Sequence, residues 1–174
     1  MLKLYKGVID IYLPDLKYGN NDNGRRYSKA PDYFDKAKLA ITEMYDQVGA
    51  ELVYENDVVA RGLIIRHLVL PNDLSEKEEV LRFISKELDP KIHISVMAQY
   101  YPTNRASRNI LLNRKITQSE YARVIDLLDK YGLENGWVQE LESNDFYRPN
   151  FDSDREDPFG NRKLFALSLP DFKS

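Results

Sequence analysis

The chain has 174 residues, 43% hydrophobic and 30% charged, which fits one globular domain, falls short of a complete α/β barrel of roughly 250 residues, and excludes a collagen-like or grossly disordered chain. A formal net charge of −3 argues against a general nucleic-acid binder, which needs a net basic face to neutralise phosphates. Zero cysteines exclude disulfides, thiolate zinc sites, cysteine nucleophiles and cysteine-held iron–sulfur clusters from these residues. No apolar run approaches the roughly 20 residues that span a bilayer, and Met1 to Lys6 is too short and polar for a signal peptide, so the expectation is a cytoplasmic protein with no membrane partner.

Val8 to Lys17 is rich in β-branched and aromatic residues and predicts a strand ending near Lys17, followed by a flexible turn over Tyr18 to Gly24. Phe34, Ala37, Ile41, Met44, Tyr45 and Val48 recur at helical spacing, predicting a helix from about Pro31 to Val48 with Gly49 as its left-handed cap. A small hairpin around Asn56-Asp57 leads to the apolar run Gly62 to Pro71, which reads as a strand covered on both faces. Ser75-Glu-Lys-Glu78 reads as a capping box opening a helix that stops by Asp89. His93 to Pro102 is the third predicted strand, and a polar loop through Arg114 follows it. A second capping box, Thr117-Gln-Ser-Glu120, opens a helix that closes at Gly132. Strand and helix alternate, predicting an α/β fold with three βα units on parallel strands, as in a barrel segment or an open doubly wound sheet. Asn144 to Arg162 reads as a surface-wrapping segment, and Lys163 to Leu169 as a last short strand.

Parallel α/β architectures carry their chemistry at the carboxyl ends of strands. On the first strand the two-residue period sets Ile9, Ile11, Leu13, Asp15 and Lys17 on one face, so an acid and an amine stand side by side beyond three apolar positions. Such a pair suits an amino-acid or phosphate ligand, and equally an ordinary salt bridge at a strand end. On the second strand Arg66 shares a face with Ile64, Leu68 and Leu70; in so apolar a run it requires an anionic partner, either a ligand carboxylate or a protein carboxylate such as Asp15. His67 points to the opposite face, beneath a helix. On the third strand Ser95, Met97, Gln99 and Tyr101 share a face able to hydrogen-bond a ribose or an adenine edge, or simply to meet water. The two histidines lack zinc-site spacing, and Asp152 to Asp157 lacks the glycine and the glutamate of a calcium loop.

Val8-Ile-Asp-Ile-Tyr-Leu-Pro-Asp-Leu-Lys17, Arg61-Gly-Leu-Ile-Ile-Arg-His-Leu-Val-Leu-Pro71, Met97-Ala-Gln-Tyr-Tyr-Pro102 and Leu133-Glu-Asn-Gly-Trp-Val-Gln139, in that order, resemble the radical S-adenosylmethionine family, pyruvate formate-lyase activating enzyme-like branch. The resemblance covers nearly the whole chain and matches the C-terminal half of the family's partial (β/α)6 TIM-like barrel. It implies a barrel half over residues 1–143 and a tail over 144–174 packed on it. It implies S-adenosylmethionine as cofactor, with Asp15 and Lys17 near its methionine moiety, Arg66 and Leu68 on the next strand, and Gln99 and Tyr101 near the nucleoside. Tyr101 stands where related activating enzymes carry a histidine.

The implied chemistry is reductive cleavage of S-adenosylmethionine by a 4Fe-4S cluster, giving a 5'-deoxyadenosyl radical that abstracts hydrogen, for instance from a glycyl radical enzyme. The family's CxxxCxxC loop is absent here, so the ligands of that cluster are missing and radical initiation by this chain alone is not expected. One reading is therefore a fragment or split enzyme whose missing N-terminal half is a partner, with exposed barrel edges that favour homo-oligomers. The alternative is a cluster-free, non-catalytic ligand-binding or protein-interaction module. A chance match by an unrelated small α/β protein is the third.

Overall fold

The computed structural model describes residues 1–139 and 141. A 3-10 turn, Leu2–Tyr5, precedes strand β1 (Ile11–Tyr12), helices α1 (Asn21–Ser28) and α2 (Tyr33–Val48), and the hairpin of β2 (Val53–Glu55) with β3 (Val58–Leu68). Helix α3 (Lys77–Phe83) runs on as a π turn over Ile84–Leu88, and then come β4 (His93–Met97), α4 (Gln118–Tyr131) and β5 (Gly136–Val138). Strands β1, β3, β4 and β5 lie in that order and all pair in parallel, while β2 is antiparallel to the start of β3.

The strand order advances in one direction, and right-handed crossovers then carry successive helices to the same side of the sheet. Burial records the result. Tyr12, Leu16, Leu63, Ile65, Val69, Ile94 and Val96 are buried and share one core with Phe34, Ile41, Val80, Leu81, Phe83, Val124 and Leu128 of the helices. On the opposite face Ile11 and Leu13 are 37% and 52% exposed, and Ile64, Arg66, Leu68, Ser95 and Trp137 are half-buried. The molecule is α/β with a parallel sheet, as the alternation predicts. Among the described residues the order does not reverse, so the sheet they form is not doubly wound, and helices cover the β3 run on one face rather than two.

Several local expectations hold for the reasons given. Thr117 and Glu120 form both hydrogen bonds of a capping box, and Gly132 closes α4 at φ 64°. Asn56 and Asp57 turn the hairpin with φ of 51° and 64°, and β3 continues from it without a break.

Others are corrected. The first strand is only Ile11–Tyr12, because Pro14 has no N–H to give; pairing resumes as an isolated bridge between Asp15 and Arg66. The turn expected before Gly24 is helix α1. Its asparagines act as connectors: Asn20 Oδ1 accepts from the Asn23 N–H at 2.7 Å, Asn21 Oδ1 caps α2 by accepting from the Phe34 N–H at 2.8 Å, and Asn23 Nδ2 donates to the Leu74 carbonyl at 3.0 Å. The Ser75 box does not form. Glu76 enters α3 with φ 50°, after left-handed Asn72 and Asp73, and Ser75 turns inward and is fully buried. The third strand stops at Met97, which leaves Gln99 and Tyr101 in the following loop, and β5 forms over Gly136–Val138. The surface segment, the final strand, the acidic run from Asp152 and the domain boundary at 143 lie outside the described residues.

Candidate functional site: the open sheet face

The tripeptide Asp15-Leu16-Lys17 is held at four backbone groups. The Tyr33 hydroxyl of α2 accepts from the Lys17 N–H at 2.8 Å and donates to the Asp15 carbonyl at 3.1 Å. The Leu16 N–H donates to the Arg66 carbonyl at 2.9 Å, and the Leu16 carbonyl accepts from His67 Nδ1 at 2.7 Å. Leu16 is thereby fixed in the core, while Asp15 is exposed and Lys17 half-buried, as alternation about a buried residue requires. Tyr33 is itself packed edge-on against Tyr18, with ring centroids 5.3 Å apart, and burial raises the pKa of its hydroxyl.

Arg66 Nε stands 2.7 Å from Asp15 Oδ1, the protein-carboxylate partner that an arginine in this run requires. The contact is an ion pair without hydrogen-bond alignment, and the side chains are 43% and 52% exposed, so water screens it. Among the described residues Asp15 is the one carboxylate in an ion pair with Arg66, and no hydrogen bond or ion pair holds the Lys17 ammonium. The arrangement therefore offers two cationic donors beside one carboxylate, a set that matches a zwitterionic amino-acid group.

Leu68 is in register with Met97 on β4 and is half-buried on this face. Gln99 lies past the end of β4, its Nε2 3.7 Å from Met97 Sδ, and the Tyr101 ring lies 5.4 Å from Lys115 Nζ. The structure thus pairs Asp15 with Arg66, places Leu68 two residues further along β3 and Lys17 two residues beyond Asp15 outside the strand, and sets Gln99 and Tyr101 in the loop after β4.

Sequence reasoning missed Tyr33, which looks like an ordinary first-turn residue of α2, and Gln139, whose side-chain oxygen accepts from the Ala98 N–H at 3.1 Å and extends the β4–β5 pairing. Neither carries a local signal, because each acts through a contact distant in sequence. Trp137, opposite Ser95, is a third.

Two other places carry polar groups away from this face. A hollow of about 460 Å³ is lined by Gly49, Glu51, Arg61, Asp89 and Lys91. It lies where α2 and α3 end and the strands begin, opposite the carboxyl ends, and its mixed charges set no ligand class. His67 is fully buried on the helix side, as alternation predicts, and burial lowers its pKa to about 4. Among the described residues no three His, Asp or Glu side chains converge as a metal site, and no helix is long and apolar enough to cross a membrane.

The chain is 39% identical over 134 residues to an uncharacterized protein of Methanocaldococcus jannaschii. That stretch covers 76% of this chain and 35% of the relative, so the chain spans about a third of the relative's length. No family model matches the chain, and no solved structure matches it.

Proposed function

We propose that the chain is an arc of a radical S-adenosylmethionine barrel and that its open sheet face lines the S-adenosylmethionine site. The observation that carries this reading is the one-sided sheet. Parallel strands in sequential order, with the described helices all on one side, suit a segment of a (β/α) barrel, whose inner face would be the bare one. At the carboxyl end of that face stand Asp15, Lys17 and Arg66. Lys17 and the Arg66 guanidinium would take the methionine carboxylate, Asp15 would take its ammonium, and Leu68 would pack against the aliphatic chain. These residues fit the cofactor.

The 4Fe-4S cluster does not fit. It needs thiolate ligands, and the 174 residues contain none. No reaction step is therefore assigned to this chain, and its part is to bind and orient. In the complete enzyme a cysteine-bearing polypeptide would be its partner, and a glycyl radical enzyme the substrate class that the resemblance implies. Lack of cysteine favours the second reading, a non-catalytic module that keeps the ligand face, and both readings require the same binding.

Calorimetric titration of the purified chain with S-adenosylmethionine tests that requirement. Binding should be saturable and should weaken by tenfold or more in Lys17→Ala and in Arg66→Ala. Heat of binding that is absent at millimolar ligand, or unchanged in both variants, would sink the assignment.

A further inference from the structure

Trp137 is the single tryptophan of the chain, and the strand register sets it in one row with the charged pair. Asp15 bridges to Arg66, Arg66 stands opposite Ser95, and Ser95 stands opposite Trp137. Residues level with one another across parallel strands project from the same side of a sheet. A carboxylate, a guanidinium, a hydroxyl and an indole therefore cross the open face in line. Burial agrees: Ile94 and Val96, on either side of Ser95, are covered by the helices, whereas Ser95 and Trp137 are half-buried. His93, also on this face, has its ring centroid 6.0 Å from that of Trp137 at an angle of 41°. The imidazole stands beside the indole, and Trp137 keeps part of its surface exposed.

A part-exposed indole on a sheet face is a stacking surface for a flat ring. With strands about 4.8 Å apart, Arg66 and Trp137 are two strands, or about 10 Å, from one another. That separation suits an elongated ligand with a charged group at one end and a planar ring at the other. Ser95 between them offers a hydroxyl to the polar middle of such a molecule.

We infer that Trp137 is a ligand-binding residue of the open face, stacking the planar ring of an elongated ligand whose charged end is held at Asp15, Lys17 and Arg66. This rests on the reading above, in which the ring is the adenine of S-adenosylmethionine.

The single tryptophan makes the test direct. S-adenosylmethionine and adenosine are each titrated while indole fluorescence and binding heat are followed. Both should quench the fluorescence. Trp137→Ala should weaken both ligands by about tenfold, within the range for loss of one base–aromatic stack. Trp137→Phe should retain most of the affinity, and Lys17→Ala should weaken S-adenosylmethionine alone, with thermal unfolding verifying that each variant is folded. If S-adenosylmethionine binds and depends on Lys17, yet leaves the indole unquenched and binds Trp137→Ala equally well, this inference is overturned and the charged site stands. If neither ligand binds the wild-type chain, both fall.

Discussion

A buried imidazole must settle on one protonation state, and for His67 the surroundings choose the neutral one. Its Nδ1 donates to the Leu16 carbonyl, and its Nε2 lies buried without a partner. Burial lowers the pKa from 6.5 to about 4, with nearby Lys77 acting in the same direction and the Leu16 carbonyl and Asp73 opposing. The unfolded chain therefore takes up a proton that the folded chain refuses. Stability is complete above about pH 6.5 and declines as pH falls towards 4, by about 3 kcal/mol in total. Partly buried His93 adds a decline of the same sign. The melting temperature should fall between pH 7 and pH 4, and His67→Asn, which keeps an N–H for Leu16, should flatten that fall. Identical slopes for the two proteins would remove His67 as its source. Because Leu16 separates Asp15 from Lys17, the same acid loss should loosen the segment that presents them. At this scale Asp15–Arg66 was legible, since a lone cation in an apolar run demands an anion. Tyr33 and Trp137 were not, since only the folded register brings them to the site.

At the scale of elements, the start of α4 also anchors the loop after β3. Glu120 accepts from Arg114 Nη1 and Nη2, each at 2.8 Å, from the Asn72 N–H at 2.7 Å and from the Thr117 N–H at 2.9 Å. The Arg114 hydrogen bonds lead in holding its pKa down at about 2, against the cost of burial. The folded carboxylate is the stronger acid, so its contribution is present above about pH 4.5 and is lost as pH falls through 2, below the window in which His67 acts. Glu120→Ala should cost about 2 kcal/mol in urea unfolding at pH 7, and Glu120→Gln, which still caps the helix, about half as much. Equal, negligible losses would show that water replaces these bonds. Helices α2 and α4 were legible because apolar spacing and end signals agree. Helix α1 was not, because its sequence is polar and its asparagines serve neighbouring elements. The Ser75 box failed for a related reason: Lys77 reaches back to Asp73, and the left-handed residues between β3 and α3 turn the serine inward.

At the scale of the whole molecule, the sheet face that no described helix covers dominates. Ile11 and Leu13 are exposed beside the outer edge of β1, and Met1, Leu4 and Val8 are exposed on the segment leading into it. Among the described residues no strand pairs with that edge, and an apolar face next to an unpaired strand edge favours association. The purified chain should self-associate with rising concentration in sedimentation velocity. Ile11→Ser with Leu13→Ser should reduce that association and lower the melting temperature little, since neither residue joins the core. Undiminished association in the double variant would move the contact to another surface. Parallel α/β character was readable from the alternation of elements. That the helices keep to one side was not, because it depends on the spatial order of the strands.

The central claim is that the bare face binds S-adenosylmethionine, and amide chemical-shift mapping of the labelled chain addresses it most directly. Addition of the ligand should shift residues around Lys17, Arg66, Leu68 and Trp137 together and leave the outward helical surfaces unchanged. Shifts confined to the helical layer or to the hollow around Arg61 and Asp89, or no shifts at millimolar ligand, would contradict it.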